Sequence, residues 1–210
     1  MQLSAKMVRE RLAHMKPRLT NCSLETSRKG QNAVGELMRA VHHGQVRVKR
    51  HDFENFEGAW VLPDDPRRDG AILYLHGGGY TCGGLEYALG FGSALADECG
   101  AKVFCAAYRL APEFPFPAAV EDAAQAYEYL LKKGYLPEKI SLCGESAGGG
   151  LCFALCLYLR QQGQKVLAIV LLESEMQQIT PTPEMQQITE QRLPPQIQPK
   201  LPRPELRRRP

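Results

Sequence analysis

The segment Gly144-Glu145-Ser146-Ala147-Gly148 sits between an apolar run at 139–143 and a stretch at 147–160 that is apolar nearly all round. A strand that passes through so short a bend into a helix forces the serine into a strained backbone and throws its hydroxyl outward, as a nucleophile elbow does. Glycine on either side leaves no Cβ to collide with the adjoining strand and helix. The helix that follows aims its amino terminus at the same point and favours developing negative charge there. Ser146 is therefore the candidate nucleophile.

Seventy positions upstream, directly after the apolar run at 71–75, stands His76-Gly77-Gly78-Gly79-Tyr80. A glycine run leaves backbone N–H groups bare and approachable. With the N–H of Ala147, those of Gly77 and Gly78 are expected to form an oxyanion hole, in which one lost donor typically costs about 10²–10³ in rate. A phosphate-cradling loop is disfavoured, because the Gly-Lys-Ser/Thr ending of such a loop is absent.

Both segments need a sheet to hold them. Apolar runs at 71–75, 101–108, 139–143 and 165–172 read as strands buried on both faces, and helical patterns lie between them. One helix runs from Leu85 to near Gly100. Another starts at Pro117 and carries Val120, Ala124, Tyr127, Leu130 and Leu131 on one face until Gly134. Strands joined by helix-length crossovers give an α/β fold with a mostly parallel sheet covered on both faces. Residues 45–62 suggest a hairpin-like start to that sheet, and residues 1–44 a helical N-terminal segment broken near Pro17.

The composition agrees with a globular domain: 210 residues, 44% hydrophobic and 23% charged. Net charge is 26 − 23 = +3, too mild to argue for nucleic acid. No apolar run reaches the length of a membrane span, and no secretory signal opens the chain, so a cytoplasmic location is expected. Asn21-Cys22-Ser23 matches a glycosylation acceptor but has no export signal to act with. Seven cysteines without a Cys-x-x-Cys pair read as reduced and mostly buried, and neither a metal nor a cofactor is expected.

Three stretches, His76-Gly77-Gly78-Gly79-Tyr80, residues 108–123 (YRLAPEFPFPAAVEDA) and residues 144–150 (GESAGGG), resemble the hormone-sensitive-lipase-like branch of the α/β-hydrolase family. The resemblance covers about residues 46–172. It implies an α/β-hydrolase fold and a serine carboxylesterase that forms an acyl-enzyme on Ser146 of a small-molecule ester, with Gly77, Gly78 and Ala147 as oxyanion donors. Arg109 and Asp122 brace loops in such proteins rather than catalyse.

The family pattern places an acid and then a histidine after the serine. Here all five histidines, His14, His42, His43, His51 and His76, precede Ser146. The expected domain, residues 45–172, is thus partial, truncated before the last strands, with a sheet edge open to self-association. Glu173 reads as a solvated strand-end charge more readily than as the acid. Residues 173–210 hold eight prolines and seven glutamines and no glycine, aromatic, cysteine or histidine, so a disordered tail is expected. Pro199-Lys200-Leu201-Pro202-Arg203 has the form of a ligand for an aromatic groove. Two functions follow: an ester hydrolase lacking a downstream base, or a non-catalytic relative that binds partners, through its tail among other routes.

Overall fold

Ala71-Ile72-Leu73-Tyr74-Leu75 has no polar face, and it forms β3 (Ala71–Leu75), which has a strand on each side and helices on each face. The structure is a computed structural model that describes residues 22–164 and 168–172. The other strands are β1 (Val46–Asp52), β2 (Glu57–Pro63), β4 (Lys102–Ala107), β5 (Ile140–Glu145) and β6 (Ala168–Leu172). Their order across the sheet is β1-β2-β4-β3-β5-β6. β1 and β2 form the expected hairpin, β2 joins β4 antiparallel, and β4, β3, β5 and β6 are mutually parallel. This is an α/β-hydrolase-type sheet. β4 ends one residue short of the expected limit at 108, and β5 continues two residues beyond Cys143, so that Glu145 is its last member.

The helices are α1 (Leu24–Val41), α2 (Leu85–Cys99), α3 (Ala118–Lys132) and α4 (Ala147–Gln161). From β3 the chain first steps one way to β4 through α2, then returns past β3 to β5 through α3 and on to β6 through α4. Right-handed crossovers require helices on opposite faces for opposite steps. Accordingly, Leu85, Ala88 and Leu89 of α2 pack with Tyr74, Val103, Cys105 and Cys143 on one face. Leu73, Leu75, Phe104 and Leu142 pack on the other with Tyr127 and Leu130 of α3 and Leu151 and Leu155 of α4. The point where the steps reverse is the ligand-binding crevice of open α/β sheets, at the carboxyl ends of the strands.

α1 lies outside α2. It starts at Ser23, whose hydroxyl accepts from the Thr26 N–H at 3.2 Å. The two helices touch backbone to backbone at Gly35 and Gly90: a Cβ at Gly90 would come within 2.7 Å of Gly35 Cα. Cys82, Cys105, Cys143 and Cys152 are buried, and burial pushes the Cys143 and Cys152 thiols up to about 11 and about 12. These four are core thiols rather than nucleophiles. Among the described residues no helix is long and apolar enough to cross a membrane, and no group of three His, Cys, Asp or Glu is placed to hold a metal. His14, Glu173 and the 173–210 tail with its proline motif lie outside the described residues.

Candidate active site

β3 and β5 are neighbours in parallel register, with Leu75 opposite Gly144. The two loops leaving their carboxyl ends therefore emerge side by side. On the β5 side, Ser146 caps α4 with φ 51° and ψ −119°, a sparsely populated positive-φ conformation that costs a non-glycine residue about 1–3 kcal/mol. It is exposed, whereas Gly144, Glu145, Gly148 and Gly149 around it are buried. A Cβ at Gly144 would sit 2.8 Å from the Leu75 carbonyl oxygen, and one at Gly148 2.7 Å from that of His76. A Cβ at either position would meet backbone, that of β3 and its exit and, at Gly144, that of Gly148 as well.

On the β3 side the glycine loop is tied to the bend by Glu145. Its carboxylate is 7% exposed and accepts from Gly77 N–H at 2.5 Å and from Tyr74 O–H at 2.6 Å. Burial raises the Glu145 pKa, and the hydrogen bonds from Tyr74, Gly77 and Tyr87 oppose that rise. Gly77 was expected to donate to an oxyanion. In this structure its N–H is directed at the Glu145 carboxylate. The chain then turns at Gly78 (φ 118°) and Gly79 (φ 63°). Among the described residues the N–H groups of Gly78 and Gly79 donate to no acceptor. That of Ala147 opens α4 and has no acceptor within the helix.

The same architecture is widespread among known proteins. Residues 72–200 match the family described as the alpha/beta hydrolase fold. The chain is 49% identical over 136 residues to an acetyl-hydrolase of Streptomyces hygroscopicus, an alignment covering 64% of this chain and 43% of that protein. It is 37% identical over 112 residues to human hormone-sensitive lipase, covering 51% of this chain and 10% of the lipase. The crystal structure of an esterase from the bacterial hormone-sensitive lipase family superposes with a TM-score of 0.68 at 34% identity, covering 82% of this chain and 58% of that one. This chain is a hormone-sensitive-lipase-like α/β-hydrolase. It spans under half the length of the two curated relatives named.

In this α/β-hydrolase the histidines among the described residues do not gather at Ser146. His76 is fully buried, stacks on Tyr108 at 4.3 Å, and through Nδ1 donates to the Gly77 carbonyl at 2.7 Å. A carbonyl can only accept, so the proton is on Nδ1. Nε2 is buried with no partner among the described residues. Desolvation lowers the imidazole pKa to about 4, so it is neutral at pH 7 and braces the loop. His42 bonds Asp97 at 2.8 Å between α1 and α2, and His51, on the edge strand β1, stacks on Tyr129 at 4.2 Å. Among the described residues the Ser146 hydroxyl has no hydrogen-bond partner.

The loop after β4 completes the site. Asp122, fully buried, holds Arg109 through both carboxylate oxygens at 2.7 and 3.0 Å and also accepts from the Arg109 N–H at 2.8 Å. The loop carries Phe114 and Phe116 to an apolar cavity of about 330 Å³, with Tyr80 of the glycine loop and Leu151 and Ala154 of α4 on its other walls. Two residues escaped the sequence reading. Arg28 of α1 reaches both loops, donating to Thr81 O at 2.7 Å, Ala111 O at 3.0 Å and the Glu113 carboxylate at 2.7 and 2.8 Å. Nothing in its local sequence distinguishes it from other helix arginines. Glu145 did carry a signal: it is the one charge at the end of an apolar strand.

Proposed function

We propose that the chain provides the nucleophile and oxyanion half of a carboxylic-ester hydrolase. On this reading Ser146 attacks the carbonyl carbon of a small-molecule ester, and the N–H groups of Gly78, Gly79 and Ala147 receive the negative charge that develops on the carbonyl oxygen. The alcohol then leaves with a proton, and water releases the acid from the acyl-enzyme. The observation that carries the proposal is the positive φ of Ser146 at the start of α4, beside a glycine loop tied to the preceding residue. The acetyl-hydrolase and esterase names of similar proteins support the same chemistry. The apolar cavity beside Ser146's helix suits a hydrophobic acyl or alcohol group.

A second reading rests on the histidines. With His76 neutral and committed to Gly77, no described imidazole is at Ser146 to take its proton, and a relative that binds esters without turning them over has the same geometry. Serine hydrolases stripped of triad members retain about 10³–10⁴ of rate enhancement from the oxyanion hole and binding. Intact mass after treatment with a fluorophosphonate separates the readings. A single adduct that disappears in Ser146→Ala supports the hydrolase. An adduct unchanged in that variant, or none in folded protein, refutes it.

A further inference from the structure

At the β1 edge of the sheet, four strands across from the β5 end that carries Ser146, the structure holds a cavity of about 500 Å³ between β1, β2, the start of β4 and the last turn of α3. Lys49, Lys102 and Lys133 line it, and no Asp or Glu does. Six lysines fall among the described residues. Lys29, Lys132 and Lys139 each pair with a carboxylate. The three without a carboxylate partner are the three in this cavity.

Their partners are rings instead. Lys102 Nζ lies 5.9 Å from the Tyr135 centroid and Lys133 Nζ 5.3 Å from that of Tyr129. Tyr129 stacks on His51 at 4.2 Å, and Trp60 on Tyr135 at 5.8 Å. Trp60 Nε1 donates to the Tyr129 hydroxyl at 3.1 Å, which fixes both side chains. The cavity wall is thus aromatic and partly exposed, with ammonium groups around it. A lysine at a helix end needs no ligand to explain it, since it complements the helix dipole. That accounts for Lys133, but Lys49 and Lys102 stand on strands.

We propose that this cavity is a binding site for a small planar aromatic anion, a ring bearing a phosphate or carboxylate. Ring stacking on Tyr129 and Tyr135, backed by the buried Trp60, supplies the apolar contact, and the three lysines supply a positive potential concentrated by the concave wall. The volume lies within the range of small-molecule sites. The site is independent of Ser146 and stands whether or not that serine reacts.

Trp60 is the single tryptophan, so quenching of its fluorescence locates a ligand in this cavity. AMP and 2-naphthoate serve as ring anions, with adenosine and 2-naphthalenemethanol as uncharged counterparts and inorganic phosphate as charge alone. Calorimetry provides the affinities where a ligand absorbs. Each ring anion should bind about tenfold or more tightly than its uncharged counterpart, and weaken as salt rises. Lys102→Glu with Lys133→Glu should erase that difference while leaving Ser146 labelling unchanged. Lys49→Glu, on a strand rather than the helix end, should reduce it. Equal affinity for charged and uncharged rings, phosphate competing as well as AMP, or unaltered binding in the charge variants would overturn the proposal.

Discussion

Between pH 6.5 and about 4, His76 should draw the folding equilibrium toward the unfolded chain. Its imidazole is fully buried, stacked on Tyr108, and donates through Nδ1 to the Gly77 carbonyl. Nε2 has no partner to stabilise a second proton. In the unfolded chain the ring titrates near 6.5, and in the folded protein near 4, because desolvation penalises the charged form. Above pH 6.5 both states are neutral and His76 contributes no pH dependence. Between the two values the unfolded chain binds a proton that the folded chain does not, so stability falls as pH falls, by up to about 1.4 kcal/mol per pH unit. Integrated over the gap, the loss is about 3 kcal/mol, a large share of a stability of about 5–15 kcal/mol. Urea unfolding followed by Trp60 fluorescence at pH 7, 5.5 and 4.5 reads it directly. His76→Phe keeps the stack on Tyr108, loses the bond to Gly77 and lowers stability at pH 7, but its pH slope in this window should be shallower by one proton. NMR titration of the His76 ring should show no protonation above about pH 5. Equal slopes in the two proteins, or a His76 resonance titrating near 6.5, would refute the burial argument and reopen His76 as a base.

Gly148→Ala should cost about 1–3 kcal/mol or prevent folding, because the new Cβ meets the Leu75 and His76 carbonyls and backbone must move; thermal melts by circular dichroism test this. Arg28→Ala should cost about 2 kcal/mol and speed amide exchange at Cys82–Leu85, since Arg28 holds Thr81 and Ala111 as well as Glu113. Glu113→Gln, which alters only a half-exposed partner, should cost under about 1 kcal/mol. Tyr74→Phe removes one donor from the buried Glu145 carboxylate and should cost about 1–3 kcal/mol. Because that raises the Glu145 pKa further, the deficit should grow as pH rises through the Glu145 titration, and Glu145→Gln should abolish that pH dependence.

The sheet was legible because its strands are short apolar runs bounded by glycine and separated by helix-length periodic segments. Ala71–Leu75 has the same limits in sequence and structure. The elbow was legible for a related reason: a bend that excludes Cβ atoms leaves glycine as its signature at Gly144 and Gly148. Hydrogen bonds across the fold leave no such mark. Three adjacent glycines have equally bare N–H groups in sequence, and only the placement of the Glu145 side chain decides that Gly77 is bound and Gly78 and Gly79 are not. The Arg28 clamp joins residues 53 and 85 positions apart, so no local pattern records it. The lysine cavity was invisible for the same reason, since three strands and a helix end must meet before its residues become neighbours.

Glu145 links the two halves of the site in a way that bears on the proposed chemistry. It immediately precedes Ser146, and its side chain fixes the first glycine of the opposing loop, so the position of the loop is set by the same strand end that sets the serine. The Tyr108 hydroxyl holds the His76 carbonyl at 2.5 Å, and Arg28 holds Thr81 beyond the turn. Gly78 and Gly79 therefore lie between two anchored points, with their N–H groups unspent. Donors held in place before a charge develops need no reorganisation when it does, which is the condition under which an oxyanion hole is effective. None of these anchors involves a histidine that shuttles protons. On the proposed reading, electrostatic stabilisation is thus built separately from proton transfer. Tyr74→Phe or Arg28→Ala should slow fluorophosphonate labelling of Ser146 by loosening the loop, without touching the serine or any base.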